Sequence, residues 1–587
     1  MVKEKWTRYG DKIEYDEIAR EYNISNIMAK IIRNRGVEKN DIGKYLSSDL
    51  SLMYSPWLMK DMKKAVDIIK LKISEKKKIR VVGDYDIDGI CSTYILVHGI
   101  THVGGNVSYD IPDRVKDGYG INENIIRKAY ADGVDTIITC DNGIAAFEAI
   151  DLAKELGMTI VVTDHHEVLF EEISGEKKYL RVNADATVNP HQPDCTYPFK
   201  LLCGGGIAFK FIIGLYETYG IDIKQAYEFI EFAAIATIGD IVDLKDENRI
   251  IAKHGLAAIH KTKNIGLNAL INACQLVKTN ISAYHIGFVI GPCLNASGRL
   301  ETAKLGYELL SCLDENQAMK MAENIRNLNE SRKNITEQGV SLAVEMAEKY
   351  VNDKVLVIYL KDIHESVAGI IAGRIKEKYN KPTIVLTDTE ETGVIKGSGR
   401  SIENYDMFEN LNKVKDLFLK FGGHKMAAGL SLKAENLNIF REQINKECML
   451  TDEDMVRKIV IDSVLNADRI TFSLVNELKE LEPFGKGNEK PVFAVSKAKV
   501  EKINIIGKNK NVVKLRLRDA SGICIEGVIF NKTEEITEFI ISKFGNDELQ
   551  RAFVGKSNDI FMSCIFYPDI NEYNGMKNIQ IIVNNYC

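Results

Sequence analysis

No stretch of the chain approaches the roughly 18 uninterrupted apolar residues that a membrane helix needs, so no membrane span is expected. The opening residues, Met1-Val2-Lys3-Glu4-Lys5-Trp6-Thr7-Arg8, lack the apolar core of a signal peptide, and a cytoplasmic protein is the expectation. No two of the 11 cysteines form a CxxC pair, and their number is odd. Cys140, Cys274 and Cys564 sit in apolar stretches, which favours reduced, buried thiols over zinc or disulfides. Excess positive charge is missing too. The net charge of -6 does not advertise a nucleic-acid partner. A local charge map matters more than the sum, however, and carboxylates gathered around a cation would make the sum misleading. Internal repeats and low-complexity segments are also absent. What remains is an ordinary globular composition, 45% hydrophobic and 27% charged. At 587 residues the chain is too long for one core, and three or four domains are expected.

Residues 1–75 read as a helical preface of mixed charge. A pattern then recurs. Ile79-Arg80-Val81-Val82-Gly83 runs into Asp84, Asp135-Thr136-Ile137-Ile138-Thr139-Cys140 into Asp141, and Thr159-Ile160-Val161-Val162-Thr163 into Asp164-His165-His166. Helical segments, such as Asn122 to Ala131 and Ala145 to Leu156, lie between them. Short apolar runs alternating with helices predict a parallel sheet with crossover helices. Ligands of such sheets bind beyond the carboxyl ends of the strands, so side chains far apart in sequence should gather along one edge. A fourth candidate run is Ile235-Ala236-Thr237-Ile238-Gly239-Asp240-Ile241-Val242-Asp243.

Residues 314–350 contain no proline and place Ala318, Met321, Ala322, Ile325, Leu328, Ile335, Leu342 and Met346 at helical spacing, which predicts a connecting helix. A smaller α/β unit follows over 351–452, with strands at Val355–Tyr359 and Thr383–Leu386. From 453 to 587 short alternating strands such as Val512-Val513-Lys514-Leu515-Arg516-Leu517-Arg518 predict a β-barrel.

Asp84-Tyr85-Asp86-Ile87-Asp88-Gly89 packs three carboxylates into five positions, an arrangement best tolerated around a cation. A solvated acidic turn or a helix cap is the alternative. A calcium EF-hand loop does not fit, because no Glu fills the twelfth position and a strand precedes the string. Asp164-His165-His166 offers imidazole beside carboxylate, good ligation for manganese, zinc or iron. Asp141 and Asp243 complete a set that could hold two metals roughly 3.5–4 Å apart. For Asp141 the alternative is a turn with Asn142-Gly143, and for Asp243 a helix-end or loop carboxylate.

The order D-Y-D-I-D-G, C-D-N-G, D-H-H resembles the DHH phosphoesterase superfamily. Further strings resemble its RecJ branch: Ile111-Pro112-Asp113-Arg114 with Gly118-Tyr119-Gly120, Asn189-Pro190, and Cys203-Gly204-Gly205-Gly206. So do Asn295-Ala296-Ser297-Gly298-Arg299, His364-Glu365-Ser366-Val367-Ala368-Gly369-Ile370, Gly397-Ser398-Gly399-Arg400-Ser401, Gly422-Gly423-His424 and Leu481-Glu482-Pro483-Phe484-Gly485-Lys486-Gly487-Asn488. The matches keep their order from about residue 79 to 495. The resemblance implies a DHH domain over 76–313, the connecting helix, a DHH-associated domain, and an oligonucleotide-binding (OB) barrel. It implies a 5′-to-3′ exonuclease that cuts single-stranded DNA to 5′-mononucleotides in DNA repair and recombination, using two divalent cations, Mn2+ or Mg2+. Asp86, Asp88, Asp141, His165 and Asp243 are the implied ligands, with Asp84 and His166 next to them. Where the family reads G-T-x-A-D this chain has Gly239-Asp240-Ile241-Val242-Asp243, which aligns Asp243 with the family carboxylate and makes Asp240 an extra acid. A monomer is implied, working on single-stranded DNA with a helicase and a single-strand-binding protein.

Glycines with a hydroxyl and an arginine suit phosphate, because backbone N–H groups can approach and the guanidinium adds a bidentate fork. Asn295 to Arg299, Gly397 to Ser401 and Gly422-Gly423-His424 have that composition, although each alone also reads as an ordinary turn. The resemblance places Arg114, Asn295, Ser297 and Arg299 at the cleft and Ser398, Arg400 and His424 on a nucleotide or its 5′ phosphate. His364 is a further candidate whose alternative is a helix N-terminus. Gly204-Gly205-Gly206 reads as a tight loop that starts a helix near the metals. In the barrel, Lys497, Lys499, Lys502, Lys508, Lys510, Lys514, Arg516 and Arg518 are interrupted only by Glu501, and alternation would send many to one face, with Lys514, Arg516 and Arg518 as the DNA-facing set. A soluble edge strand is the competing explanation. The family's His-Leu-Lys string is Val512-Val513-Lys514 here. Two rival functions are a superfamily phosphatase for short oligonucleotides, which would lack the barrel, and a non-catalytic scaffold, which would have broken ligand motifs.

Overall fold

The computed structural model describes residues 4–10, 14–114, 117–173, 175–573 and 575–587. Met1 to Lys3 of the opening segment lie outside the described residues. The chain divides into two compact units: Leu50–Val242 with Glu247–Arg457, and Lys5–Asp49 with Asp243–Asp246 and Lys458–Cys587. No helix among the described residues is long and apolar enough to cross a membrane.

The first unit is built on a five-stranded sheet in the order Asn106–Asp110, Lys78–Val82, Thr136–Cys140, Thr159–Thr163, Ala186–Val188, with all neighbours parallel. Thr136–Cys140 is buried at every position, which is why its sequence is an unbroken apolar run rather than an alternation. One face is covered by the helices Glu123–Ala131 and Phe147–Glu155, whose Ile125, Ile126, Ala129, Ile150 and Ala153 meet Ile137, Ile160 and Val162. The helix Ile87–His102 packs with Gly204–Thr218 and Ile230–Gly239. Gly99 makes the first crossing close, since a Cβ there would meet Ile212 Cδ1 at 2.5 Å. In chain order the strands run 2-1-3-4-5. The direction of winding reverses between Lys78–Val82 and Thr136–Cys140, the place where open α/β sheets bind ligands.

The run around Ile235 is a helix, Ile230–Gly239, buried on all sides. The connecting helix is Glu315–Lys349, 35 residues capped by Asp314, or about 52 Å of rod. Of the residues singled out in the sequence Ala318, Ala322 and Ile325 are buried, but farther along the buried line passes to smaller residues. Thr336, Gly339, Ala343 and Ala347 are buried, whereas Leu342 is exposed. Small residues let the helix Glu365–Tyr379 come close; a Cβ on Gly339 would meet Ile371 Cδ1. The second sheet of this unit runs Phe418–His424, Ala427–Lys433, Val394–Arg400, Thr383–Asp388, Leu356–Tyr359, antiparallel except for the last pair.

In the second unit, six strands are ordered Ser463–Val464, Phe493–Ile506, Val512–Arg518, Cys524–Phe530, Met576–Tyr586, Phe561–Tyr573. Phe493–Ile506 also pairs with Phe561–Tyr573 and closes the barrel, which removes the free edges. The helices Tyr15–Tyr22, Asn26–Asn34 and Ile42–Ser47 share the barrel's core: Ile18, Met28, Ile31 and Ile32 are buried in one cluster with Leu474, Phe493 and Phe566. Arg35 fixes the arrangement with two bonds to the buried Asp462 carboxylate, at 2.9 and 3.1 Å. All 11 cysteines are free thiols.

Candidate active site

Each strand at the reversal point delivers an acid. Asp84, Asp141 and Asp164 follow three adjacent strands and are all buried. Asp86 caps the helix Ile87–His102, accepting from Asp88 N at 2.9 Å and Gly89 N at 3.2 Å. That helix start turns Asp88 inward, where Gly204 N and Gly205 N donate to its two oxygens at 2.7 and 2.6 Å. The three glycines therefore form the first turn of the helix Gly204–Thr218, not a loop, and their bare backbone orients a carboxylate at the helix's positive end. Asp141 holds a left-handed backbone, φ 62°, and its Oδ1 lies 3.0 Å from His165 Nε2. The neighbouring Asn142 ties the strand ends together, donating to Val82 O and Cys140 O.

Three groups of potential ligands result: Asp84, Asp86 and Asp141; Asp141, His165 and His166; and Asp88, His165 and Asp240. His165 Nε2 is 3.6 Å from Asp88 Oδ2 and 3.7 Å from Asp240 Oδ2. The fifth acid of these groups is thus Asp240, at the C-cap of Ile230–Gly239. The alignment favoured Asp243 at this position of the chain. Ile241, between the two acids, takes φ 58°, and Asp243 lies 3.5 Å from Lys486 Nζ. Asp164, the first letter of the D-H-H string, is an orienting group rather than a ligand. Its Oδ1 accepts from His165 N, His166 N and His166 Nδ1, and its Oδ2 from Ile144 N.

The electrostatics call for a cation. Burial first, then Asp86, raises Asp84; burial and Asp88 raise Asp86; and burial followed by Asp88, Asp86, Asp84 and Asp240 pushes Asp141 well above the usual carboxylate range. Burial also lowers His165, leaving a neutral imidazole able to ligate. Burial works against a charge on His166, but the hydrogen bond and charge of Asp164 prevail and hold it at about 9. Carboxylates this close, each destabilising its neighbours' charge, fit a centre of divalent ions with oxygen and imidazole ligands.

Tyr119 roofs one side: its hydroxyl donates to Asp141 O at 2.9 Å and meets His166 Nδ1 at 3.1 Å. Tyr85 packs edge-on against Tyr119, and the Arg114 guanidinium lies over Tyr85, 4.7 Å from the ring centre. Asn295 Oδ1 accepts from Ile87 N at 2.8 Å, holding the helix start between Asp86 and Asp88. Arg299 donates to Ser366 O at 2.6 Å, and burial, with Arg114 and Arg332 nearby, lowers it to about 10. Ser297 does not reach the site: it is buried and its hydroxyl donates to Leu294 O. His364 caps the helix Glu365–Tyr379 and accepts from Ser366 N.

The glycine-rich strings are neither turns nor loops. Asn295–Arg299 lies within the helix Gly291–Leu300, and Gly397–Arg400 and Gly422–His424 lie in neighbouring sheet strands. Ala427 is the cross-strand partner of both Arg400 and His424, so these two share a face about 10 Å apart. One row over, Ser398, Gly429 and Gly422 line up. A Cβ at Gly422 or Gly429 would meet nothing within 4 Å, so the floor between the side chains is bare backbone. Arg400 donates to Ser398 Oγ at 2.6 Å. In the barrel, Lys499 pairs across strands with Arg518 and Lys502 with Arg516, and Lys514 shares the face of Arg516 and Arg518 on their strand. Acids partly neutralise it: Glu526 lies 3.0 Å from Lys514, and Glu501 lies 3.2 and 2.6 Å from Arg516 and Arg518.

Family models match three segments: the DHH family N-terminal domain at residues 78–238, the DHHA1 domain at 352–449 and the RecJ OB domain at 461–585. The single-stranded-DNA-specific exonuclease RecJ of Bacillus subtilis (strain 168) is 36% identical over 98% of this chain and 69% of its own length. The enzyme of the same name from Escherichia coli (strain K12) is 31% identical over 90% and 91%. The crystal structure of RecJ in complex with Mn2+ from Thermus thermophilus has the same fold, with a TM-score of 0.80 at 24% identity over all of this chain and 80% of that one.

Proposed function

The chain belongs to the family of single-stranded-DNA-specific exonucleases named RecJ, and from that premise we propose that it hydrolyses single-stranded DNA from the 5′ end to 5′-mononucleotides, with two Mn2+ or Mg2+ ions. The observation that carries the reading is the convergence of Asp84, Asp86, Asp88, Asp141, His165 and Asp240 where the sheet reverses direction. Asp86, Asp88, Asp141, His165 and Asp240 would hold the ions, with Asp84 and His166 beside them. Bound there, two divalent ions supply charge stabilisation for the attacking and leaving oxygens of an in-line displacement. The chain's own groups do the positioning. Gly204 and Gly205 fix Asp88, Asp164 fixes His166, and Asn295 fixes the helix that carries Asp88.

Direction comes from a terminus pocket. Ser398, Arg400 and His424 stand around bare glycine backbone, a surface suited to a dianionic 5′ phosphate, with Arg114 and Arg299 closer to the metals. The OB barrel, with Lys514, Arg516 and Arg518 on its outer face, would hold the rest of the strand. Work in DNA repair and recombination alongside a helicase and a single-strand-binding protein, as a cytoplasmic monomer, belongs to the same proposal. The test is digestion of end-labelled single strands with Mn2+. Mononucleotides released from the 5′ end support the reading. Products released equally from 3′ ends, or removal of terminal phosphate alone, overturn it, the latter in favour of a phosphatase.

A further inference from the structure

Residues 248–300 contain six lysines and arginines and no aspartate or glutamate, in a chain with 83 acids. Arg249 is buried, but Lys261 and Lys263 are exposed and Lys253, Lys278 and Arg299 partly so, which offers a polyanion bases with no acid from the same stretch. It ends in a continuous helical rod: Ala283–His285, the π-turn Ile286–Ile290, and Gly291–Leu300. Ile286, Ile290, Leu294 and Ser297 bury one side of the rod. Tyr284, Phe288, Pro292, Asn295 and Arg299 follow one another at three- and four-residue steps and stay partly or fully open to solvent. The far end of that stripe is in the active site, through Asn295 on Ile87 N and Arg299 on Ser366 O.

The near end carries two large rings in water. Tyr284 is 63% and Phe288 67% exposed, and the rings stack 4.9 Å apart at 24°. Three lysines surround the start of the rod. Lys278 Nζ donates to Thr262 O at 2.7 Å, and the His260 ring meets Ile281 O at 2.8 Å, which pins the 260–264 loop with its exposed Lys261 and Lys263 beside the helix start. Tyr284 lies eleven residues from Asn295, about 16 Å along the rod, which is within a few nucleotides of the scissile bond.

We propose that Tyr284 and Phe288 are a base-stacking subsite for the DNA strand beyond the scissile bond, with Lys261, Lys263 and Lys278 beside its backbone. The inference rests on the nuclease reading and deepens it. Exposed rings accept any base on their faces, so the subsite would hold the strand without reading its sequence. A π-turn under the pair matches this use, since such turns recur at functional positions.

The test uses the full-length protein and its Tyr284→Ala/Phe288→Ala variant with Mn2+ on three 5′-phosphorylated substrates: a dT20 strand, the same strand with abasic residues at its third to sixth nucleotides, and a trinucleotide. The expected result is a rise of about five- to a hundredfold in the ratio of KM for dT20 to KM for the trinucleotide, the range for one lost stacked base. The wild-type protein should show a similar rise on the abasic strand, and the variant should lose little more there. A wild-type ratio in the variant overturns the subsite. So does an equal penalty on dT20 and its abasic counterpart, which would mark the rings as a docking patch for a protein or as structural. No hydrolysis of any substrate by the wild-type protein would instead overturn the nuclease reading, and the inference with it.

Discussion

Replacing Gly204 by alanine should damage the metal centre while leaving the protein folded. A Cβ at this position would lie 2.7 Å from Asp141 Cβ, 3.0 Å from Asp141 Cα and 3.1 Å from Asp88 Oδ2. The first contact is about 0.7 Å inside ordinary van der Waals distance, more than the ~0.5 Å tolerance of a functional constellation. Something must move, and the neighbours within reach are the two carboxylates and the helix turn that cradles one of them. Overpacking costs about 1–3 kcal/mol, and alanine's better helix propensity offsets up to about 1 kcal/mol of it. The net loss of stability is then at most about 3 kcal/mol. Displaced supporting contacts weaken a metal site by about 10–100-fold. The Mn2+ concentration for half-maximal hydrolysis should rise by that factor, with a matching loss in calorimetric Mn2+ affinity. Gly206→Ala is the reference, because its Cβ would meet Leu202 Cδ2 at 3.3 Å, a side-chain end that can give way. A folded Gly204→Ala protein whose Mn2+ dependence lies within twofold of wild type would refute the reasoning.

Asp240→Asn should reduce hydrolysis at limiting Mn2+ by about a hundredfold and Asp243→Asn by less than about threefold; the reverse ranking would restore the alignment that favoured Asp243. Arg400→Ala should shrink the rate advantage of 5′-phosphorylated over 5′-hydroxyl strands, and a variant with the full preference would remove Arg400 from the terminus pocket. Burial raises Glu231 to about 7, so the folded state holds a proton that the unfolded chain releases near 4.5. Its stabilising contribution is complete below pH 4.5 and is lost as pH rises through 7, at about 3 kcal/mol in all. Glu231→Gln should flatten that part of the stability curve measured by denaturant unfolding, and an unchanged slope would show that Glu231 is ionised when folded. Changing Lys514, Arg516 and Arg518 to alanine together should lower the slope of log affinity against log salt by less than about 2, since Glu501 and Glu526 already compensate part of their charge; no change would make the face merely solubilising.

The strand-ending acids were legible because a parallel sheet buries its strands on both faces and puts their carboxyl ends on one edge. Asp240 was not legible. The helix before it is buried all round, so its sequence carries neither strand alternation nor an amphipathic stripe to show which of two nearby acids faces the ligands. The positive φ of Ile241, which separates the two acids, leaves no mark in the sequence. The glycine-rich strings misled in another way. At several of them glycine stands where neighbours press close: a Cβ on Gly298 would meet Tyr85 O at 2.6 Å, and one on Gly397 would meet Val385 O, whereas Gly422 faces open space. Composition suggested turns where close packing was the cause. The exposed basic face of the barrel followed from alternation alone, but its acidic partner Glu526 sits on the next strand, which only the register reveals.

The mixed origin of the barrel's core has a consequence for synthesis. Tyr45 and Leu465 belong to one apolar cluster, yet 420 residues separate them. At about 5–20 residues per second, roughly 20–85 seconds pass between their emergence from the ribosome. Through that interval the helices carrying Ile18, Met28, Ile31 and Ile32 exist without the strands that will cover them, while the whole first unit is being made. Such a nascent chain presents a lasting apolar target to chaperones. The same dependence means that a chain ending before the barrel does not simply lose a DNA-holding module; it strands three helices whose only native core among the described residues is gone.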